Sequence, residues 1–326
     1  MFELFRRNIV LNSILLLPYI CILRIGQLIN PIGYTMTEQE TLITRQLFLY
    51  LDSPVIQQWL AVILIFIQAL LVNYITNRHK LSHESTLFSG ALYVIYVTLF
   101  VTNSALTPAL IANTFIILAV ESLLQTYKAT DDVAHVFNTA FFLSLAALIY
   151  PPYIFGFIFG YMSLAFLYTM RFRAILQYLI GYLVPPFLLF TVSLFAEGLK
   201  PFSELYLHYL VTLPKFNPLG LKDIIPLAAF GITLIFVILS LSSITLKKTI
   251  QAQKKIEVFY LLLVFLGLGF FSVNSESFEL QIGLAIPVSV LVGIFISDSK
   301  SKLTHELYHI LLVAIIFITY FKIFNV

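Results

Sequence analysis

Long apolar runs, separated by short charged or turn-forming breaks, limit this chain's folding options more than any other feature. Residues 57 to 76 contain no Asp, Glu, Lys or Arg, and runs of the same character recur along the sequence. A bilayer core about 30 Å thick is crossed by roughly 20 apolar residues in a helix, and only helices or closed barrels can satisfy their backbone groups there. The runs fall near 8–29, 57–76, 87–103, 108–127, 136–150, 153–170, 174–196, 224–246, 257–272, 281–297 and 304–323. They imply an all-α, polytopic transmembrane helical bundle of about eleven spans, built as a single integral membrane domain over 1–326. Composition agrees, with 60% hydrophobic and 11% charged residues against roughly 25% charged in soluble chains. A soluble enzyme and a disordered chain are thereby excluded. A net charge of +3 with 31 Phe and 18 Tyr forms no basic stripe, so no nucleic-acid partner is expected.

Orientation follows from the basic residues, because inside loops retain Lys and Arg. With the N-terminus inside, the inside loops hold 13 of the 19 basic residues: Arg6, Arg7, Arg78, Lys80, Lys128, Arg171, Arg173, Lys247, Lys248, Lys254, Lys255, Lys300 and Lys302. The outside receives Arg24, Arg45, Lys200, Lys215, Lys222 and Lys322. The expectation is N-terminus inside and C-terminus outside, in a bacterial inner membrane, multi-pass. The first run reads as a retained span, since Ile25-Gly26-Gln27 and the polar stretch after it offer no small-x-small cleavage site. Two longer outside loops are expected, at about 30–56 and 197–223. The first contains an amphipathic segment around Leu47 to Leu51, and the second an interfacial helix around Glu204 to Leu213.

Several residues have types that could do chemistry. His305-Glu306-Leu307-Tyr308-His309 matches H-E-x-x-H, which places two imidazoles one helical turn apart beside a carboxylate. A catalytic zinc needs a third ligand, and the 17 residues after His309 contain no His, Asp, Glu or Cys. The motif is therefore read as a chance polar turn opening the last span, and no metal is expected. Cys21 is the one cysteine, which removes disulfides and Cys-based metal sites; no cofactor is expected. Asp131 and Asp132 with His135 could coordinate a metal, but the acidic pair is read as the N-terminal cap of the next helix, and residues 77–84 as a positive-inside anchor that could also bind an anionic lipid head group. Asn12, Gln68, Asn73, Asn113, Glu121, Asn138 and Gln177 lie within apolar runs and each needs a partner. Glu121 is the carboxylate set deepest in a span. Gly156-x-x-x-Gly160 suits close helix packing. On the outside, Glu38, Glu40 and Asp52 are candidate general bases toward a lipid-linked donor, with Arg45, Lys200, His208 and Lys215 as candidate lipid or phosphate contacts.

A resemblance adds to this reading. Asn77-Arg78-His79-Lys80-Leu81, Leu87 to Val94, Thr107 to Phe115, Val136 to Phe141, Ala146 to Tyr150, Arg171-Phe172-Arg173 and Gly181 to Phe187 together resemble a family of multi-spanning inner-membrane proteins of Bacteroidota, of uncharacterised activity. In layout the chain is more distantly similar to the type C glycosyltransferases. That likeness implies a first outside loop bearing a catalytic acid, short hairpins through the seventh span and a second long outside loop. The compact acidic pair expected after the first span is here replaced by Glu38-Gln39-Glu40, with Asp52 later. The expected function is accordingly a non-catalytic inner-membrane subunit or scaffold of an envelope assembly serving secretion or protein translocation, which leans against an enzyme. Its partners would be membrane lipids and other membrane proteins. Glycosyl transfer from a lipid-linked donor on the outer face is the alternative, and small-molecule transport a third.

Overall fold

Apolar runs become helices because a helix satisfies its own backbone and leaves only side chains to be accommodated. The computed structural model describes residues 2–35, 41–99, 106–127, 133–167, 172–196, 221–246, 248–269, 280–299 and 301–320. Among them there is no strand. The helices are α1 Val10–Ile14, α2 Leu16–Leu23, α3 Ile25–Ile29, α4 Leu42–Tyr50, α5 Pro54–Arg78, α6 Phe88–Thr98, α7 Pro108–Gln125 and α8 Val133–Ile149. They continue with α9 Gly156–Leu167, α10 Phe172–Ala196, α11 Leu221–Leu239, α12 Leu241–Thr245, α13 Ile250–Leu268, α14 Leu280–Asp298 and α15 Lys302–Tyr320. Four stretches are long and apolar enough to cross a membrane by length and composition, Pro54–Arg78, Pro108–Gln125, Phe172–Phe195 and Lys302–Thr319, and shorter apolar helices accompany them. The chain is a helical protein of membrane type.

Helix starts follow local chemistry. Thr41, Thr107 and Thr249 cap α4, α7 and α13 by accepting from the backbone N–H three residues on, and Pro opens α5 and α7 where its missing N–H costs nothing. The expected run at 257–272 begins earlier, at Ile250, because Thr249 caps there and Lys254, Lys255 and Glu257 are carried inside the helix rather than ending it. The expected first span is divided into α1, α2 and α3, and the run at 224–246 is divided at Ser240. α5 ends in a Schellman motif, with Leu81 N–H donating to Thr76 O at 3.0 Å and Lys80 N–H to Asn77 O at 3.1 Å. Lys80 takes the left-handed position at φ 51°, which for a side chain with a Cβ costs about 1–2 kcal/mol.

α6 is the centre of the bundle: each of its residues from Phe88 to Thr98 is buried. It packs on α14 and α5, while α8 lies between α7 and α10. Close approach depends on missing Cβ atoms. A Cβ on Gly90 would collide with Asn73 Nδ2 and come within 2.5 Å of Ala69 O. One on Gly160 would meet the Tyr178 hydroxyl and lie 2.5 Å from Leu143 Cδ1, in line with the close packing expected of Gly156-x-x-x-Gly160. Asn73 has a second role. Leu87 precedes α6 without a side-chain cap, and Asn73 Oδ1 reaches across from α5 to accept the Gly90 N–H at 2.7 Å, satisfying one of the orphan donors of that helix start.

Candidate functional site

The breaks between helices collect at two ends of the bundle. At one end, Arg6 Nε meets Glu84 at 3.3 Å, Lys248 Nζ meets Asp298 at 2.6 Å, and the other Asp298 oxygen accepts the His83 N–H at 3.1 Å. The centre of this basic end is Glu121. Arg78 Nη1 donates to one of its oxygens at 2.7 Å, and Gln125 Nε2 donates to the same oxygen at 2.8 Å. His79 Nε2 lies 3.0 Å from the other oxygen, and Lys255 Nζ is 2.7 Å from His79 Nδ1. An ammonium only donates, so Nδ1 accepts from Lys255 and the ring proton sits on Nε2, pointing at the carboxylate. Two cations and a neutral imidazole thus surround one carboxylate and tie together the ends of α5, α7 and α13. Glu121 is an interhelical ion-pair hub, not a carboxylate isolated at mid-bilayer depth.

Mid-bundle, Gln68 and Asn113, two of the polar residues expected to need partners, have them. Gln68 Nε2 donates to Leu110 O at 2.7 Å and to Thr114 Oγ1 at 2.8 Å, while its oxygen accepts from Tyr93 OH at 2.8 Å. Asn113 Nδ2 donates to Ile282 O at 2.8 Å, and Asn113 Oδ1 accepts from Tyr153 OH at 2.7 Å. Gly283 leaves the room that this tyrosine hydroxyl fills. Asn12 Nδ2 donates to Leu4 O at 2.7 Å, and Asn138 is exposed.

The H-E-x-x-H string lies on α15 with both imidazoles buried and Glu306 half-buried. His309 Nε2 is 2.8 Å from Tyr19 OH. Among the described residues, no three His, Cys, Asp or Glu side chains come together to hold a metal. Asp131 and Asp132 lie outside the described residues, as does the segment 204–213 expected to form an interfacial helix.

The opposite end is built from side chains that sequence reasoning passed over. Arg24 is buried and donates through Nη2 to Gln58 Oε1 at 3.3 Å, and Gln58 Nε2 donates to Ile32 O at 3.1 Å. Next to it, Gln57 Oε1 accepts the Tyr34 N–H at 2.7 Å, and its Nε2 donates to Leu51 O at 2.6 Å. Two consecutive amides at the start of α5 therefore hold both described arms of the loop that precedes it. Thr44 Oγ1 fastens α4 to the end of α8 through Ile149 O at 3.2 Å, and Phe48 packs on Tyr34 with ring centroids 4.6 Å apart. The amphipathic segment expected at Leu47 to Leu51 is thus part of a longer α4. Asp52 and Arg45 are both exposed on this loop, and among the described residues no ion pair joins them. Glu38, Glu40, Lys200, His208 and Lys215 lie outside the described residues. The signal available in the sequence was an arginine at the end of an apolar run and an adjacent Gln pair one turn after Pro54.

No family model matches the chain, and no curated protein does. The resemblance to the Bacteroidota family therefore stays an expectation. Among solved structures, the oligosaccharyltransferase of Archaeoglobus fulgidus in its apo form is similar, with a TM-score of 0.47 and 11% identity. The match covers 94% of this chain and 51% of that one, so this chain spans about half the length of its structural neighbour. That neighbour is an oligosaccharyltransferase, whereas the sequence suggested a non-catalytic scaffold and leaned against an enzyme. That expectation is not carried further, and a likeness at this score and identity assigns no activity to this chain. At this identity no residue role passes between the two chains, and the chemistry must come from this chain's own side chains.

Proposed function

We propose that the chain is a multi-pass glycosyltransferase of a bacterial inner membrane, N-terminus inside and C-terminus outside, acting on the outer face with a lipid-linked sugar donor. The observation that supports this reading is the pinned loop before α5. Arg24, Gln57 and Gln58 are buried polar groups, costly to place in an apolar bundle unless paired. Here each is used to hold loop backbone or another member of the set, and the loop they fix presents Asp52 and Arg45 to the surface at the end opposite the basic one. A carboxylate held beside a lipid interface can take the proton of an acceptor hydroxyl or amide while that acceptor bonds to the anomeric carbon. The bond from that carbon to the donor phosphate breaks, and the polyprenyl phosphate leaves with its charge met by cations. Glu38 and Glu40 on the same loop are the other candidates for the base, and Lys200, His208 and Lys215 remain candidate phosphate contacts from the second outside loop.

The test uses membranes in which polyprenyl-phosphate sugars carry a radiolabel, with release of label from the lipid fraction as the readout. Glu38→Gln, Glu40→Gln and Asp52→Asn are made singly. One of them is expected to slow label transfer by about 100-fold or more, while the protein accumulates as the wild type does. If all three transfer label at the wild-type rate, or if wild-type membranes transfer no more label than membranes lacking the protein, the reading fails.

A further inference from the structure

At the basic end, the turn before α1 and the first turn of α15 face each other across a cleft of about 700 Å³. Arg6, Arg7 and Lys302 line it, with Asn8, Ser85 and Glu84. Among the described residues that line it, three are cations and one is a carboxylate. Glu84 takes Arg6 Nε at 3.3 Å, and Asn8 Nδ2 donates to Ser85 Oγ at 3.0 Å, so side-chain pairs brace one wall. Beyond this polar lining, α1 and α15 border the cleft with apolar side chains. Ile9 lines it directly, and the residues that follow on both helices point outward: Val10 is 77% exposed, Leu11 67%, Leu303 70% and Leu307 58%. A free anion site in water has no use for such a border. In a membrane, cations at the head-group level with bare aliphatic side chains one turn deeper match both halves of a phospholipid.

We infer that this cleft binds the phosphate of an anionic phospholipid of the inside leaflet, with its acyl chains lying along the outward faces of α1 and α15. The site is at the opposite end from the proposed transferase chemistry and does not depend on it. Each Lys or Arg near a membrane surface adds enough attraction for about a fivefold change in affinity, so two together give about 30-fold. Because α15 also meets α2 through His309 and Tyr19, a lipid seated there would join the first and last described helices.

The experiment is native mass spectrometry of the full chain released from nanodiscs containing equal amounts of phosphatidylglycerol and phosphatidylcholine. The wild type is expected to retain phosphatidylglycerol. The double variant Arg7→Gln/Lys302→Gln should hold it about 30-fold more weakly, while Arg173→Gln/Lys254→Gln, which removes the same charge elsewhere at the same end, should hold it as the wild type does. If the first double variant does not accumulate, Arg7→Gln and Lys302→Gln made singly should each cost about fivefold. Equal losses in both double variants would mean general charge attraction and overturn the site. Displacement of the lipid by millimolar inorganic phosphate would show a free-phosphate site instead and overturn the lipid assignment, as would equal retention of the two lipids by the wild type.

Discussion

Replacing Glu121 by Ala is expected to lower the unfolding free energy by about 2–4 kcal/mol, since it leaves the buried Lys255 ammonium and the more exposed Arg78 without the anion that compensates them. Lys255 is only 4% exposed and the neutral His79 beside it 9%, so the ammonium cannot turn to water for compensation. Arg78 is 44% exposed at its side chain, which places the cost below that of a fully enclosed pair. Thermal unfolding in detergent measures the loss. A second substitution identifies its cause: Lys255→Met in the Glu121→Ala background should recover part of the stability, because it removes the uncompensated ammonium and keeps the volume. A melting temperature for Glu121→Ala within a degree of the wild type would show that the cluster is decorative.

Gly90→Ala should be more damaging than any ordinary glycine replacement in a helix. The added methyl has to displace the Asn73 side chain and press on the Ala69 carbonyl, and it moves the acceptor that caps α6. Overpacking typically costs 1–3 kcal/mol, and loss of a buried acceptor adds a similar amount, so about 3–5 kcal/mol is expected. Gly231→Ala and Gly267→Ala are the controls, since nothing lies within 4 Å of a Cβ built at either position and alanine is the better helix former. These two should accumulate at or above the wild-type level in membranes, while Gly90→Ala should fall well below it and elute as aggregate. Equal levels of all three proteins would refute the close α5–α6 contact.

What the sequence made legible divides along a physical line. An amide in an apolar run has to be paired, and that is readable from one residue and its neighbours; Gln68 and Asn113 are paired at both amide atoms and Asn73 through its oxygen. The identity of the partner is not readable, because it comes from across the bundle: Asn113 bonds to Ile282, 169 positions away, and Lys255 to His79, 176 positions away. The same holds for His309, whose spacing to His305 is local but whose hydrogen-bonding neighbour Tyr19 is 290 positions away. On the outer loop, acidic residues drew attention because they can do chemistry. Arg24, Gln57 and Gln58 did not, because what they do is hold backbone, and that is visible only once the loop has a path.

The burial of α6 on all sides bears on how the protein must be made. Its 11 described residues form a rod about 16 Å long, shorter than a bilayer is thick, and that is tolerable because protein rather than lipid surrounds it. The largest single share of that surrounding is contributed by α14, which leaves the ribosome nearly two hundred residues later. During the interval α6 has α5 on one side and an unfilled seat on the other. The membrane, or something in it, must occupy that seat until Leu280 to Asp298 arrive, which makes the docking of α14 the step at which the bundle stops being a row of hairpins and becomes one body.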